Sequence, residues 1–218
     1  MGMPVSIHVR AVDPARRDIE AGVARVLAHL RWVDSVLSTW RADSDLLRLQ
    51  HGEVEQAHAW VADVTELCLE AEDRTDGLFR AWRRRPGGRL AFDPTGLVKG
   101  WAVAGAAEHL AIVRDVAFSI GAGGDVLVGA GTGVGVPPPW RIGIEDPRRR
   151  GSVARVVTVR RGAVATSGAA TRGGHVVDPA TGHGITRPGS ATVLGPDLLW
   201  ADVWATAAWV DPARARHL

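Results

Sequence analysis

Asp202 and Thr206, near the C-terminal end of the chain, have the types and the spacing of a metal site. They stand four positions apart in an apolar stretch, 199–210, that is predicted to be a helix, so their oxygen atoms share one helix face. A carboxylate paired with a hydroxyl suits Mg²⁺, which takes few protein ligands and keeps room for substrate phosphate. A helix cap is the alternative, because a carboxylate near a helix start is favourable without any metal.

A second candidate site is the stretch 93–102, DPTGLVKGWA, which predicts a turn that leads straight into a helix. Asp93 is suited to closing the turn or capping the helix, and Gly96 and Gly100 remove side chains where other backbone must come close. The N–H groups at such a helix start favour an anion. Lys99 is the only lysine of the chain, and it could contact a phosphate there or be an ordinary solvated side chain.

Two more segments combine glycine with polar groups. The first is a glycine-rich turn that ends in Gly123, Gly124 and Asp125, and the same pattern is typical of a simple β-hairpin. The second, 166–168, carries two hydroxyls and a glycine that could hold a phosphate or a ribose, or could only form a turn. His175 follows it, and its imidazole could be a general base or could have a structural role.

The composition narrows the kind of protein that carries these motifs. With 218 residues, 46% hydrophobic and 23% charged, the chain is typical of a globular protein with one sizeable core. A net charge of +2 and no basic run interleaved with aromatic residues argue against nucleic-acid binding. Cys68 is the single cysteine, which excludes an internal disulfide and a cysteine metal cluster, and we expect a buried thiol. No signal peptide or transmembrane span is recognisable, so we expect a cytoplasmic protein.

Hydrophobic periodicity and turn residues predict the elements that must position these groups. The first helix is predicted to open at Asp13 and Pro14, with Pro14 in its first turn, and to run to about residue 37. The other predicted helices are a short turn after the polar loop 38–45, then 62–74, 97–111 and 199–210. The predicted strands are 5–9, 116–120, 126–128, 140–144, 154–159, 163–166, 175–177 and 191–194, with loops at 80–89 and 129–139.

Taken together, the motifs resemble the ApbE family, the FAD:protein FMN transferases. The resemblance covers nearly the whole chain, and it rests on several motifs in the family's order: 33–46, 93–102, 121–125, 166–168, 175–182 and 201–207. Trp101 replaces a family tyrosine, and Gly121 replaces a family asparagine. The stretch between residues 79 and 93 is shorter than in typical members.

The resemblance implies an α+β fold, with a single T-fold-like domain over 1–218 in which helices pack on an antiparallel sheet. It implies a Mg²⁺-dependent transfer in which a Thr or Ser hydroxyl of an acceptor flavoprotein attacks the FMN-side phosphorus of FAD, and AMP leaves. The implied metal ligands are Asp202, Thr206 and the Gly96 carbonyl, with His175 as the base. The implied cofactor-binding residues are Ser38, Thr39, Trp40, Asp93, Lys99, Gly123, Gly124, Asp125, Thr166, Ser167, Gly168 and His175.

Two other functions are compatible with the same motifs. One is an FAD pyrophosphatase that cleaves FAD to FMN and AMP with water as the acceptor. The other is a flavin-binding protein without catalysis, an alternative that the shortened stretch favours and that the retained Asp202, Thr206 and His175 oppose.

Overall fold

The computed structural model describes residues 2–84, 88, 90–169 and 176–218. Its main sheet is antiparallel throughout and has the strand order β1-β4-β5-β8-β9. The strands in chain order are β1 Val5–Arg10, β2 Trp82–Arg84, β3 Leu90–Phe92, β4 Ala117–Ala122, β5 Asp125–Ala130, β6 Trp140–Glu145, β7 Val153–Val159, β8 Gly162–Gly168 and β9 Ser190–Gly195. The helices are α1 Arg17–Leu37, α2 Asp45–Gln50, α3 Ala59–Arg74, α4 Thr95–Ala111, α5 Leu198–Val210 and α6 Pro212–Ala215.

Helix α4 is the centre of the helical layer. It is apolar on most of its surface because it packs between α1 and α5, and α5 in turn covers β8 and β9. Gly100 makes the crossing with α5 possible, since a Cβ atom at this position would lie 2.8 Å from the Leu198 carbonyl oxygen and from Leu199 Cα. The expectation that backbone comes close at Gly100 is therefore confirmed, and the contact sets α4 directly against the start of α5.

The predicted helices are present, but two of them begin elsewhere. The first helix begins at Arg17 rather than at Pro14, because the Asp13 carboxylate accepts the Ala15 N–H in a separate turn before it. Helix α3 begins at Ala59, three residues before the predicted start, because the His58 ring nitrogen caps it by accepting the Trp60 N–H. In both cases, a side-chain atom that accepts a backbone N–H just before the helix determines where the helix begins.

The prediction of a loop over 80–89 is wrong for residues 82–84, which form β2, while residues 85–87 and 89 lie outside the described residues. Strand β2 pairs antiparallel with β3, with Trp82 opposite Phe92 and their ring centroids 5.0 Å apart. This cross-strand aromatic contact compensates for the basic and glycine-rich composition that led to the prediction of a loop.

The glycine-rich turn is shorter than predicted. Ala122 pairs with Asp125, so the turn consists of Gly123 and Gly124 alone, and both have a positive φ angle, of 58° and 102°. Two consecutive residues with positive φ are what a tight two-residue hairpin requires. Gly121 and Asp125, predicted as turn residues, are strand residues in β4 and β5.

Three other strand predictions are corrected. The segment 166–168, considered as a turn, lies inside β8 and pairs with β9, while residues 129 and 130 extend β5 rather than open a loop. A strand over 175–177 is not found in the part of the chain that the structure describes. Val176 lies in a bend, Val177 makes only an isolated bridge to Gly184, and His175 is outside the described residues.

Strands β6 and β7 form a separate two-stranded sheet that packs on the main sheet. Val159 contacts Val128 and Val164 in a small apolar cluster, with Trp140 and Ile142 at its edge. The main core lies on the helical side and includes Cys68, whose thiol is buried as expected. Of the helices that the structure describes, none is long and apolar enough to cross a bilayer.

Candidate functional site

A cavity of about 1400 Å³ opens where the two sheets, the start of α4 and the middle of α5 meet. Of the residues predicted for the site that the structure describes, all except Asp125 line this cavity. Those in the wall are Ser38, Thr39, Trp40, Asp93, Gly96, Lys99, Gly123, Gly124, Thr166, Ser167, Gly168, Asp202 and Thr206. Residues that are far apart in the chain are thus brought to a single surface.

Asp202 and Thr206 lie on the face of α5 that lines this cavity. Asp197 occupies the N-cap position of α5 and its Oδ1 atom accepts the Trp200 N–H at 3.1 Å, so the interpretation of Asp202 as a helix cap is wrong. Asp202 is only 3% exposed, and Thr206 Oγ1 lies 3.1 Å from the Ser167 hydroxyl on β8. A buried carboxylate and two hydroxyls therefore meet at the junction of helix and sheet.

Lys99 is mostly buried and is paired with two carboxylates, so it is not an ordinary solvated side chain. Its Nζ atom contacts the Asp125 carboxylate and lies 3.4 Å from Asp202 Oδ2. Burial acts to lower the pKa of Lys99, but the charges of Asp202 and Asp125 outweigh it and raise the pKa above its usual range. The side chain is therefore a permanent cation that stands between two carboxylates at the cavity wall.

Asp125 does not line the cavity. It is fully buried, its Oδ1 atom accepts the Thr166 N–H at 2.8 Å, and its Oδ2 atom contacts Lys99. Asp125 therefore lies behind the cavity wall. Its carboxylate links β5, β8 and α4.

The start of α4 is shaped by Asp93. Its Oδ1 atom accepts both the Thr95 N–H, at 3.2 Å, and the Thr95 hydroxyl, at 2.7 Å, while Pro94 takes the N-cap position. Asp93 therefore closes the turn rather than caps the helix. Gly96 follows it in the wall, and a Cβ atom there would lie 3.0 Å from the Phe79 ring.

The loop after α1 forms another part of the wall. Ser38 is buried, and its hydroxyl accepts the N–H groups of Trp40 and Arg41 at 3.2 Å each. The Ser44 hydroxyl donates to the Ser38 carbonyl at 2.7 Å. These bonds hold the loop in a shape that leaves the Trp40 side chain 87% exposed at the cavity mouth. Ser38 therefore shapes the loop, and Trp40 is its accessible group.

Sequence reasoning missed several parts of the wall. The shortened stretch contributes Trp82 and Leu90 to the wall, next to Leu78 and Phe79 just before it, and the β6 residues 142–145 also line the cavity. The pairing of β2 with β3 and the docking of β6 are contacts between distant segments, for which the sequence carries little local signal. The loop 178–182 also lines the cavity, and its DPATG pattern was a usable signal.

The donors at the junction suit Mg²⁺ better than a transition metal. Among residues that the structure describes, no cluster of three or more His, Cys, Asp or Glu side chains is arranged around a common point. What is present is the Asp202 carboxylate beside the hydroxyls of Thr206 and Ser167, with Gly96 in the same wall. Few hard oxygen donors facing a large open space are typical of Mg²⁺ sites that keep water and phosphate ligands, so the residues fit the ion.

The fold matches solved ApbE structures. The ApbE protein of Thermotoga maritima aligns with a TM-score of 0.79 over 98% of this chain and 86% of that chain, at 20% identity. ApbE of Pseudomonas stutzeri, a flavinyl transferase, gives 0.70 over 95% and 84%, at 22% identity. The flavin transferase ApbE of Vibrio cholerae gives 0.69 over 95% and 87%, at 21% identity. The predicted α+β fold, with helices on an antiparallel sheet, is confirmed.

Sequence comparison leads to the same family. The FAD:protein FMN transferase of Klebsiella pneumoniae (strain 342) is 29% identical over an alignment of 280 residues, which covers all of this chain and 79% of that protein. The FAD:protein FMN transferase of Vibrio cholerae serotype O1 is 33% identical over 131 residues, or 56% of this chain and 39% of that protein. The sequence profile of the ApbE family matches residues 80–218. The chain therefore belongs to the ApbE family.

Proposed function

We propose that this protein, as one domain over 1–218, is an FAD:protein FMN transferase that moves FMN from FAD to a Thr or Ser hydroxyl of an acceptor flavoprotein. The observation that carries the proposal is the meeting of Asp202, Thr206 and Ser167 in the wall of the 1400 Å³ cavity. Both curated relatives described above are named FAD:protein FMN transferases. The hydroxyl–carboxylate cluster would position a divalent cation, and phosphoryl transfer depends most on positioning and charge neutralisation.

The size of the cavity supports a dinucleotide substrate. Pockets for drug-sized ligands are usually about 300–1,000 Å³, and this cavity of about 1400 Å³ exceeds that range. FAD would leave room for a short acceptor segment beside it. Trp40 is positioned for stacking on a flavin or adenine ring, because its indole is exposed at the mouth while its backbone is held by Ser38.

In the proposed reaction, the acceptor oxygen forms a bond to the FMN-side phosphorus and the bond from that phosphorus to the bridging oxygen breaks. The hydroxyl proton goes to a base, and AMP leaves with the bridging oxygen. Asp202, Thr206 and the Gly96 carbonyl would hold Mg²⁺, which when bound would neutralise charge on the pyrophosphate oxygens. The Lys99 ammonium lies next to this site, 3.4 Å from the Asp202 carboxylate.

The remaining wall would bind the rest of FAD. The Gly123–Gly124 turn presents backbone without side chains, which lets a phosphate or sugar come close. The β8 segment that ends at Ser167 and Gly168 would contact the ribose or phosphates beside it. His175 is the proposed base for the acceptor hydroxyl on the strength of the sequence motif alone.

Mass spectrometry tests the function directly. A peptide that carries the flavinylation motif of an acceptor protein is incubated with FAD, Mg²⁺ and this protein, and AMP is measured in the same sample. We expect FMN to be attached to the peptide in equal amount to the AMP released. Release of FMN and AMP without peptide labelling would assign the pyrophosphatase activity instead. Binding of FAD with no product of either kind would leave a flavin-binding protein without catalysis.

A further inference from the structure

Three charged side chains from different elements meet at the cavity wall. Lys99 comes from α4, Asp125 from β5 and Asp202 from α5. The Lys99 ammonium contacts Asp125 directly, whereas its distance to Asp202 Oδ2 is 3.4 Å, which is longer than an ordinary charge-assisted hydrogen bond. The ammonium thus lies closer to the carboxylate that does not line the cavity than to the one that does.

Asp125 is fixed in the orientation that makes this possible. It is 0% exposed, and its Oδ1 atom is engaged by the Thr166 N–H at 2.8 Å, so the Oδ2 atom is the one that faces Lys99. The bond to Thr166 also ties the arrangement to β8, the strand that carries Ser167. A substitution at Asp125 would therefore change the position and charge environment of the Lys99 ammonium directly, and would affect a ligand in the cavity only indirectly.

The charges of the three groups have a consequence for cation binding. One ammonium and two carboxylates leave a net charge of minus one on the trio. Without Asp125, the ammonium would neutralise Asp202 and repel an incoming metal ion. Without Lys99, two buried carboxylates would face each other uncompensated, which costs stability and attracts cations more strongly.

We propose that Asp125 is a positioning residue whose function is to draw the Lys99 ammonium away from Asp202, so that Asp202 keeps its negative charge for a divalent cation. The inference rests on the proposed function, because it concerns the metal site of that reaction. It assigns Lys99 and Asp125 to tuning of the metal site rather than to contact with FAD phosphates.

A series of charge variants tests the proposal through Mn²⁺ binding. Mn²⁺ replaces Mg²⁺ because the EPR signal of free Mn²⁺ reports binding without any turnover, and the signal is corrected for Mn²⁺ bound by FAD alone. The variants are Asp125→Asn, Lys99→Met, the double variant of both, and Lys99→Arg, which keeps the charge. Asp73→Asn is the matched control, because Asp73 is exposed on α3 and does not line the cavity.

We expect the Mn²⁺ affinity of Asp125→Asn to fall roughly tenfold or more, because the Asp125 carboxylate then no longer balances the Lys99 ammonium, which repels the ion. The double variant should recover to within about threefold of the wild-type affinity, because its net charge is again minus one. Lys99→Met should bind Mn²⁺ no more weakly than the wild type, and Lys99→Arg and Asp73→Asn should resemble it.

The comparison of Asp125→Asn with the double variant decides the matter even if Lys99→Met fails to fold. Both lack the Asp125 carboxylate and they differ only in the Lys99 charge. Equal Mn²⁺ affinity in these two variants overturns the proposal, and so does equal weakening in all variants. If the wild type transfers FMN but all variants bind Mn²⁺ with the same affinity, only this inference is lost. If the wild type neither binds Mn²⁺ nor transfers FMN, the proposed function is lost as well.

Discussion

The Ser167 hydroxyl on β8 and the Thr206 hydroxyl on α5 lie 3.1 Å apart in the cavity wall. This contact joins the main sheet to α5 close to Asp202, which lies one turn earlier on the same helix face. Two hydroxyls and a carboxylate are therefore fixed relative to one another by packed secondary structure rather than by a loop. Such rigidity is what a site needs when its chemistry depends on positioning.

Asp202→Ala should abolish Mg²⁺-dependent transfer while the protein stays folded. Asp202 is the only carboxylate among the proposed ligands, and Lys99 would keep its contact with Asp125 in the variant. Activity is titrated against Mg²⁺ while circular dichroism follows the fold, with Asp73→Ala as the exposed control. Unchanged activity with unchanged metal dependence would remove Asp202 from the site.

FAD should bind more tightly than riboflavin. The glycine turn at Gly123 and Gly124 and the metal donors around Asp202 are suited to phosphates, which riboflavin lacks. Calorimetry with FAD, FMN and riboflavin in the presence of Mg²⁺ measures the difference. If riboflavin bound as well as FAD, the pyrophosphate contacts proposed for this wall would not be formed.

His175→Ala should slow transfer by about 10²–10⁴-fold, which is the usual effect of removing a general base. The affinity for FAD should change little, because the base acts on the acceptor hydroxyl. Single-turnover transfer and FAD binding are measured on the same sample. A normal rate at saturating FAD would exclude the base role, and a joint loss of stability and FAD binding would indicate a structural role.

Gly100→Ala should destabilise the protein by about 1–3 kcal/mol, the usual cost of overpacking, even though alanine is the better helix former. The added Cβ atom would lie 2.8 Å from backbone atoms of Leu198 and Leu199, which cannot move aside without shifting α5. Denaturant unfolding measures the difference.

Gly105→Ala is the matched control on the same helix. Its Cβ atom would meet His29 Nε2 at 3.0 Å, but an imidazole can rotate away. This substitution should therefore have little effect or stabilise the protein. Equal destabilisation by the two substitutions would contradict the packing of α4 on α5.

Cys68 should be unreactive towards thiol reagents in the folded protein. Burial, with a smaller contribution from the charge of Asp93, raises the pKa of the Cys68 thiol to about 12, so almost no thiolate exists at pH 8. Unfolding should restore full reactivity. Because the chain has one cysteine, the absorbance change with a disulfide reagent reports this site alone. Rapid labelling of the native protein would show that the thiol is accessible.

The sequence by itself determined those features that depend on local patterns of residue types. Apolar spacing identified α3 and α5 and most of α1, and the consecutive glycines before Asp125 indicated the tight hairpin, whose two positive φ angles few other residues accept. Ordered motifs also led to the family and to most of the cavity wall. These signals are readable because each depends on neighbours within a few positions along the chain.

Only the tertiary structure decided which side chains face the cavity and which lie behind it. Asp125 directly follows the two cavity-lining glycines, yet its strand position turns it inward to Lys99 and Thr166. Likewise, residues 82–84 of the basic stretch pair with β3, where Trp82 contacts Phe92. These outcomes depend on contacts between segments that are distant in the chain, and burial and charge pairing at such contacts outweigh local propensity.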